Sequence, residues 1–354
     1  MVSMSESVFR DQDHNKRRDW KPYQSAVVQA LDELTIFDPA VGSGAYPMGM
    51  LHLLVKVYTR VDSKYEKNLS KLKRDILSRS LYGSDIDSTA IEISRLRAWL
   101  SLVVDMEDGE QVAPLPNLEF HFVCANTLIS LSKEVGIFDT PDLKEKLSEI
   151  RKDYYNTNSK SKKETLKKKY EKLLAPTSLS LFGGVDNELK TYQPFSHESR
   201  ASFFDPDLMF GVDKFDVVIG NPPYVQIQKF ARTQMQKDLE RQNFKTFENT
   251  GDIYLLFYEA GINYVKKDTG LLCFITSNKW MRSSYGKSLR NLFTQLNPLI
   301  LLDLGSNVFE SATVDSNILL IKNSKNFKKT LAVTLKNSKE DFIEEIYKNK
   351  TIIH

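Results

Sequence analysis

Short apolar runs that stop abruptly at a polar or glycine turn, each followed by a helical stretch, constrain this chain more than any other feature. Ile36-Phe-Asp38 empties into Pro-Ala-Val-Gly-Ser-Gly44, Leu81-Tyr-Gly-Ser-Asp85 into Ile-Asp87, and Phe215-Asp-Val-Val-Ile219 into Gly-Asn-Pro-Pro-Tyr224. Strand-like runs alternating with helices bury both faces most readily as a mostly parallel sheet with crossover helices. Strands are expected near Thr35 to Asp38, Ser80 to Asp85, Leu118 to Val123, Phe215 to Gly220, Gly270 to Thr276, Leu299 to Leu304 and Asn317 to Lys322. Seven such strands make one large α/β sheet.

Two stretches interrupt this rhythm. Asp142 to Leu174 reads as two helical patterns split by the polar turn Asn156 to Ser161, a hairpin expected to project from the sheet. Between Lys144 and Lys172 it carries eleven basic and five acidic side chains, a charge bias that suits either a solvated surface or a polyanion. Pro176 to Gly211 lacks periodicity and reads as a long connection back to the core. The last residues add one strand-like run, Thr330 to Leu335, and a short charged helix.

Composition narrows the class. With 354 residues, 41% hydrophobic and 27% charged, the chain is an ordinary folded protein. Two cysteines, Cys124 and Cys273, are too few for a disulfide framework or a cysteine zinc site, so no metal is expected and a reducing cytoplasm is the default. No apolar run approaches a membrane span, and the charged start is unlike a signal peptide. The formal charge of +3 announces no polyanion partner.

The chemistry gathers at the strand ends. Glycines after Asp38 let the backbone approach a ligand closely, and the helix start beyond them favours a negative group, although a tight turn alone would look the same. Asp85, at the tip of the second strand, is placed to hold both hydroxyls of a ribose, whereas Asp87 reads better as the cap of the next helix. Asn126 puts a side-chain amide at the same edge. At the fourth strand end, Pro222 and Pro223 stiffen the backbone and offer no amide hydrogen. The Asn221 side chain and nearby carbonyls remain as acceptors for an amino group, and the Tyr224 ring offers a face to a planar base. His52 reads as a packing or surface residue.

Asp38-Pro-Ala-Val-Gly-Ser-Gly, Gly83-Ser-Asp-Ile-Asp, Ala125-Asn-Thr-Leu128 and Ile219-Gly-Asn-Pro-Pro-Tyr-Val225 stand in the order found in the γ class of amino-group DNA methyltransferases, which the chain resembles. Ala45-Tyr-Pro-Met-Gly-Met50, Arg95-Leu-Arg-Ala-Trp-Leu-Ser-Leu102, Phe203 to Gly211, Gly251 to Glu259 and Phe274 to Met281 are similar, more narrowly, to the adenine-specific methylase core of type IIG restriction-modification enzymes. The resemblance implies a Rossmann-like S-adenosylmethionine-dependent fold. Asp38, Ala40, Gly42 and Gly44 would line the methionine end of S-adenosylmethionine, Asp85 would hold its ribose, and Ile86, Asn126 and Phe257 would surround its adenine. Asn221 and the Pro222 carbonyl would grip the target amino group of an adenine flipped from double-stranded DNA, stacked between Tyr224 and Phe309.

The expected division is an arm over 1–22, a cofactor-binding half over 23–141, the inserted hairpin and connection over 142–211, a catalytic half over 212–324 and an extension over 325–354. No Tyr-Thr-Pro tripeptide of the family's type precedes Leu34. The length leaves little room for nuclease and target-recognition modules, so the chain is expected to be the core of a longer enzyme. Competing readings are transfer to a protein glutamine or a ribosomal RNA guanine, and a non-catalytic specificity or scaffold subunit.

Overall fold

The computed structural model describes residues 21–105, 117–131, 141–174, 188–196, 199–305, 314–325, 329–334 and 351–353. Its strands are β1 (Ile36–Asp38), β2 (Leu81–Asp85), β3 (Phe122–Cys124), β4 (Val217–Gly220), β5 (Leu271–Ser277), β6 (Asn297–Gly305), β7 (Ser316–Lys322), β8 (Thr330–Thr334) and β9 (Thr351–Ile353). They form one sheet in the order β3-β2-β1-β4-β5-β7-β6-β8-β9. The first five are mutually parallel, and β7 runs antiparallel between β5 and β6. This is the mostly parallel sheet that the alternating pattern implies, in the Rossmann-like form that the resemblance implies, extended by β8 alongside β6 and by β9. The 335–350 stretch that would hold the charged helix lies outside the described residues, as does most of the expected N-terminal arm.

The helices that position the site are α1 (Gln24–Asp32), α2 (Ala45–Val61), α3 (Leu69–Arg79) and α4 (Ser88–Val103) around the first strands. Next come α5 (Pro141–Asn156), α6 (Lys160–Leu174) and α7 (Pro206–Phe210) in the insert. Then α8 (Gln234–Arg241), α9 (Tyr254–Tyr264) and α10 (Lys287–Phe293) accompany the second half. No helix among the described residues is long and apolar enough to cross a membrane. Connections reverse direction at β1, which pairs β2 on one side and β4 on the other, so a crevice opens at their carboxyl ends.

Three expectations need correction. Leu118–Phe120 forms a 3₁₀ turn rather than a strand, and β3 is only Phe122–Cys124. Tertiary packing overrides the alternating pattern here, because the Phe120 ring is drawn against Tyr154, Tyr170 and Phe195 at centroid distances of 5.7, 4.9 and 5.5 Å. The same contacts explain why the hairpin does not project. Leu147, Ile150, Tyr154, Leu166 and Tyr170 are buried in the main core, one apolar stripe on each helix.

The hairpin is also fastened by polar contacts. Asn117 Nδ2 donates to the carbonyls of Tyr154 and Thr157, and Tyr155 donates to the Arg74 carbonyl at 3.0 Å. Asn117 precedes β3 and Arg74 precedes β2, so the hairpin turn sits where the strands begin, opposite the crevice.

The connection through 211 is equally unlike a loose loop where it is described. Asp205 caps α7 by accepting from Leu208 N at 2.8 Å, with Pro206 at the first helical position. Phe204 stacks on Phe37 of β1 at 5.2 Å, and Phe37 stacks in turn on Phe215 at 4.7 Å. The insert thus supplies part of the core beneath the sheet.

Candidate functional site

The crevice starts at Asp38, the last residue of β1 and almost wholly buried at 1% exposure. Its Oδ1 accepts the Ala40 N–H at 3.1 Å, while Oδ2 has no hydrogen-bond partner among the described residues. Burial pushes the carboxyl's pKa up to about 8, opposed by the Ala40 amide and reinforced by the nearby Asp85 charge. Gly220 at the end of β4 makes room for this group, since a Cβ there would lie 2.6 Å from Asp38 Oδ1.

Beyond Asp38 the chain turns through Gly42 and Gly44, both in the left-handed region at φ 53° and 83°. Their surroundings differ. A Cβ on Gly42 would meet nothing within 4 Å, so its backbone stands open, whereas one on Gly44 would press on Ser94 of α4 at 3.1 to 3.3 Å. Gly44 therefore lets α2 start close against α4, a packing role in addition to the lining role the resemblance implies.

Asp85 closes β2 and braces two loops at once. Its Oδ2 accepts the Gly42 N–H at 2.9 Å and its Oδ1 the Asp87 N–H at 3.0 Å. Each carboxylate oxygen has two lone-pair directions, so acceptor capacity remains for a ligand. Asp87 accepts from Thr89 N at 2.9 Å and caps α4. After β3, Asn126 Oδ1 accepts from Leu128 N at 3.3 Å, and its Nδ2 lies 3.6 Å from Met235 Sδ.

At the end of β4, Pro222 is buried and Asn221 and Tyr224 are half-buried. The Tyr224 hydroxyl donates to Asn221 Oδ1 at 2.7 Å and also approaches the Ile275 carbonyl at 3.3 Å. Its ring meets Tyr254 edge-on, 6.0 Å between centroids. Burial holds the Tyr224 hydroxyl well above the ordinary phenol range, so it is a donor at neutral pH. The side-chain oxygen of Asn221 is thus presented at the strand end and held by a neighbour that a ligand can replace.

These strand ends share a cavity of about 300 Å³, a size within the range of small-molecule sites. Of the residues expected there, Ala40, Asp85, Ile86, Asn126, Asn221 and Phe257 line it. Asp38, Gly42, Gly44, Pro222 and Tyr224 do not border it, and Phe309 lies outside the described residues. Phe230, Met235 and Ile253 also line the cavity and were missed. Phe230 and Met235 come from the excursion after Tyr224, where no periodicity or motif marks a residue as facing a ligand, and Ile253 precedes α9 within the Gly251 to Glu259 stretch, from which only Phe257 was singled out.

The arrangement fits S-adenosylmethionine. A buried carboxyl group with an unpartnered oxygen, Asp38, suits a cationic amino group whose approach would favour its ionised form. Asp85 offers acceptors to vicinal hydroxyls, and Ile86 with Phe257 gives apolar walls for a flat heterocycle.

The model of the Eco57I restriction-modification methylase family matches residues 79–309. RM.MjaORFECS2P of Methanocaldococcus jannaschii is 24% identical over 366 residues, covering 84% of this chain and 30% of that protein. The type II restriction enzyme and methyltransferase RM.Eco57I of Escherichia coli is 23% identical over 310 residues, covering 82% of this chain and 25% of its own length. This chain therefore spans about a third or less of these relatives. Among solved structures, the type ISP restriction-modification enzyme LlaBIII bound to DNA shares the fold at a TM-score of 0.51 and 16% identity, over 89% of this chain and 18% of that one. The family match extends from the residues just before β2 through Asp85, Asn126 and Asn221-Pro-Pro-Tyr224 to β6, and the chain belongs to the Eco57I restriction-modification methylase family.

Proposed function

We propose that this chain is the methyl-transferring core of a restriction-modification enzyme, acting on the N6 amino group of an adenine flipped out of double-stranded DNA. The observation that carries this reading is the convergence of Asp85, Asn126 and Asn221 on one cavity, from three different strand ends, inside a methylase-family fold. An exocyclic amine is favoured because Asn221-Pro-Pro-Tyr224 presents acceptors and an aromatic face to a planar amine and no cysteine nucleophile lies in that loop; adenine, rather than cytosine, follows from the resemblance to the adenine-specific core of type IIG enzymes.

S-adenosylmethionine supplies an electrophilic methyl carbon when bound. Asp38 would hold the cationic amino group, Asp85 would accept from the ribose hydroxyls, and Ile86, Asn126 and Phe257, which line the cavity, would enclose the adenine. Asn221 Oδ1 and the Pro222 carbonyl accept the two hydrogens of the target amine. That pair of bonds would favour the pyramidal form, whose lone pair is no longer spread into the ring and is free to bond a methyl group, the surplus amine proton then leaving to solvent. Holding two reactants in line can remove about 7 kcal/mol or more from the barrier. Extruding the base costs a few kcal/mol, which stacking on Tyr224 offsets, with Phe309 as the expected second face. Asn221 Oδ1 has a second lone pair beside the one that receives the Tyr224 hydroxyl, so it can accept from the base as well.

The test is a titration with S-adenosylmethionine followed by labelled-methyl transfer to mixed-sequence duplex DNA, RNA and protein, with the acceptor base identified after digestion. N6-methyladenine in the DNA is the expected product. Label in a protein glutamine or in RNA guanine would overturn the assignment, and binding without transfer to any acceptor would favour a non-catalytic subunit.

A further inference from the structure

The segment Gly251–Tyr254 touches both the cavity and the Asn221–Tyr224 loop, yet the chemistry above gives its acidic residue no part. Asp252 Oδ1 accepts the Val225 N–H at 2.9 Å and approaches the Tyr254 N–H at 3.4 Å. Main-chain bonds extend the attachment: Ile253 N donates to the Val225 carbonyl and Ile227 N to the Gly251 carbonyl, each at 2.9 Å. Gly251 has no room for a side chain, because a Cβ would lie 2.9 Å from the Glu248 carbonyl oxygen and from Leu255 Cδ1. Ile253 then lines the cavity, and Tyr254 meets the Tyr224 ring edge-on at 84°.

Pro222 and Pro223 donate no backbone hydrogen bond, so this loop depends on the residues after them for anchorage. We infer that Asp252 is a positioning residue for the transfer proposed above: its side-chain oxygen fixes the backbone at Val225 and, through it, sets Asn221 against the cavity with Tyr224 hydrogen-bonded beside it. The inference rests on that reading of the site. Val225 needs an acceptor oxygen, which an asparagine also has and an alanine lacks. Displacing a reacting group by about 1 Å can cost on the order of 100-fold in rate, so a local attachment of this kind has catalytic consequences without contact to the substrate.

The test compares the full chain with Asp252→Ala and Asp252→Asn by three measurements. These are the S-adenosylmethionine dissociation constant by calorimetry, single-turnover methyl transfer to mixed-sequence duplex DNA, and hydrogen exchange across 224–227. Asp252→Ala is expected to speed exchange there by about tenfold or more and to slow transfer by roughly 10- to 100-fold. Cofactor affinity should stay within about threefold, and Asp252→Asn should restore most of both losses. Unchanged exchange and transfer in Asp252→Ala, or an asparagine variant as damaged as the alanine one, overturns the inference. So does a loss of cofactor affinity that matches the loss of transfer. If the alanine variant does not fold, exchange in Asp252→Asn decides, with a rise at 224–227 counting against the inference. A parental chain that transfers no methyl group defeats the proposed function instead, and the exchange measurement still judges whether Asp252 holds the loop.

Discussion

The strand-end crevice and the lysine-rich hairpin both stand out in the sequence, one for its spacing and one for its charge, and the fold treats them in opposite ways. In the crevice, residues as distant in the chain as Ala40 and Phe257 arrive at one cavity with acceptor capacity left over. In the hairpin, the aromatic and aliphatic stripe is consumed by packing on Phe120 and Phe195, and the lysines are spread over the outer side. Lys162 and Lys168 are exposed and Lys163 is half-buried, Lys162 lies 4.0 Å from Asp153, and Lys167 lies over the Phe195 ring at 5.5 Å. A charge count alone does not make a site. Convergence of directed groups from separate strand ends does, as the crevice shows.

The largest expected effect tests the catalytic side of this contrast. Asn221→Ala should leave S-adenosylmethionine binding within a few fold and lower methyl transfer by about 100-fold or more, as for the loss of a group used mainly in the transition state. Labelled-methyl transfer at the parental rate would remove Asn221 from the chemistry. Next in size, Asp85→Ala should weaken cofactor affinity by roughly 1.5 to 3 kcal/mol, measured by calorimetry. Because the carboxylate also receives the Gly42 and Asp87 amides, part of that loss should appear as faster hydrogen exchange at both positions even without cofactor.

A smaller effect arises at Asp38. Its carboxyl pKa stands at about 8 in the free protein against an ordinary value of 3.8, so near neutral pH it carries a proton. A bound cationic amino group favours the carboxylate, so binding should release a proton and strengthen as pH rises toward about 8. Calorimetry in two buffers of different ionisation enthalpy reads the release directly, and a pH-independent affinity with no proton exchange would argue against an Asp38–cation contact. The stability of the unliganded protein should move in the opposite sense. Between pH 3.8 and about 8 the folded form holds a proton that the unfolded chain has lost, so this group's contribution becomes less favourable as pH climbs through that window.

The smallest effect lies in the hairpin. Replacing Lys162, Lys163, Lys167 and Lys168 by Gln keeps helix propensity while removing four charges. With the turn at the far end of the sheet from the cavity, the slope of log affinity for DNA against log salt should change by less than about one unit. A decrease of about 3 to 4 units would show roughly four lost phosphate contacts and collapse the contrast between the two regions.

How legible each part was depends on the range of its interactions. Strand ends that close on a motif were readable, because an apolar run, a left-handed glycine and a capping aspartate are each satisfied within a few residues, as at Gly42 and Asp87. The Leu118–Phe120 segment was not, since its alternation suits a strand and only the distant rings of Tyr154, Tyr170 and Phe195 turn it aside. Phe230 and Met235 escaped for a similar reason. Nothing local distinguishes a cavity wall from an ordinary half-buried side chain.

The sequence by itself determined the parallel α/β arrangement, the order of the strand-end motifs and the kind of donor or acceptor each carries, because these arise from backbone preferences and side-chain chemistry. Tertiary structure decided which of those groups are left unsatisfied. Asp38 fits at the strand end because β4 brings Gly220 beside its Oδ1, while its buried Oδ2 meets no donor among the described residues. Asp85 shares its oxygens with two loops because β1 and β2 lie in register. Asn221 is presented with Tyr224 because Asp252 and Tyr254 arrive from the far side of a long excursion. Burial and proximity between distant segments arise only when the chain is packed, and they fix the electrostatics on which binding and transfer depend.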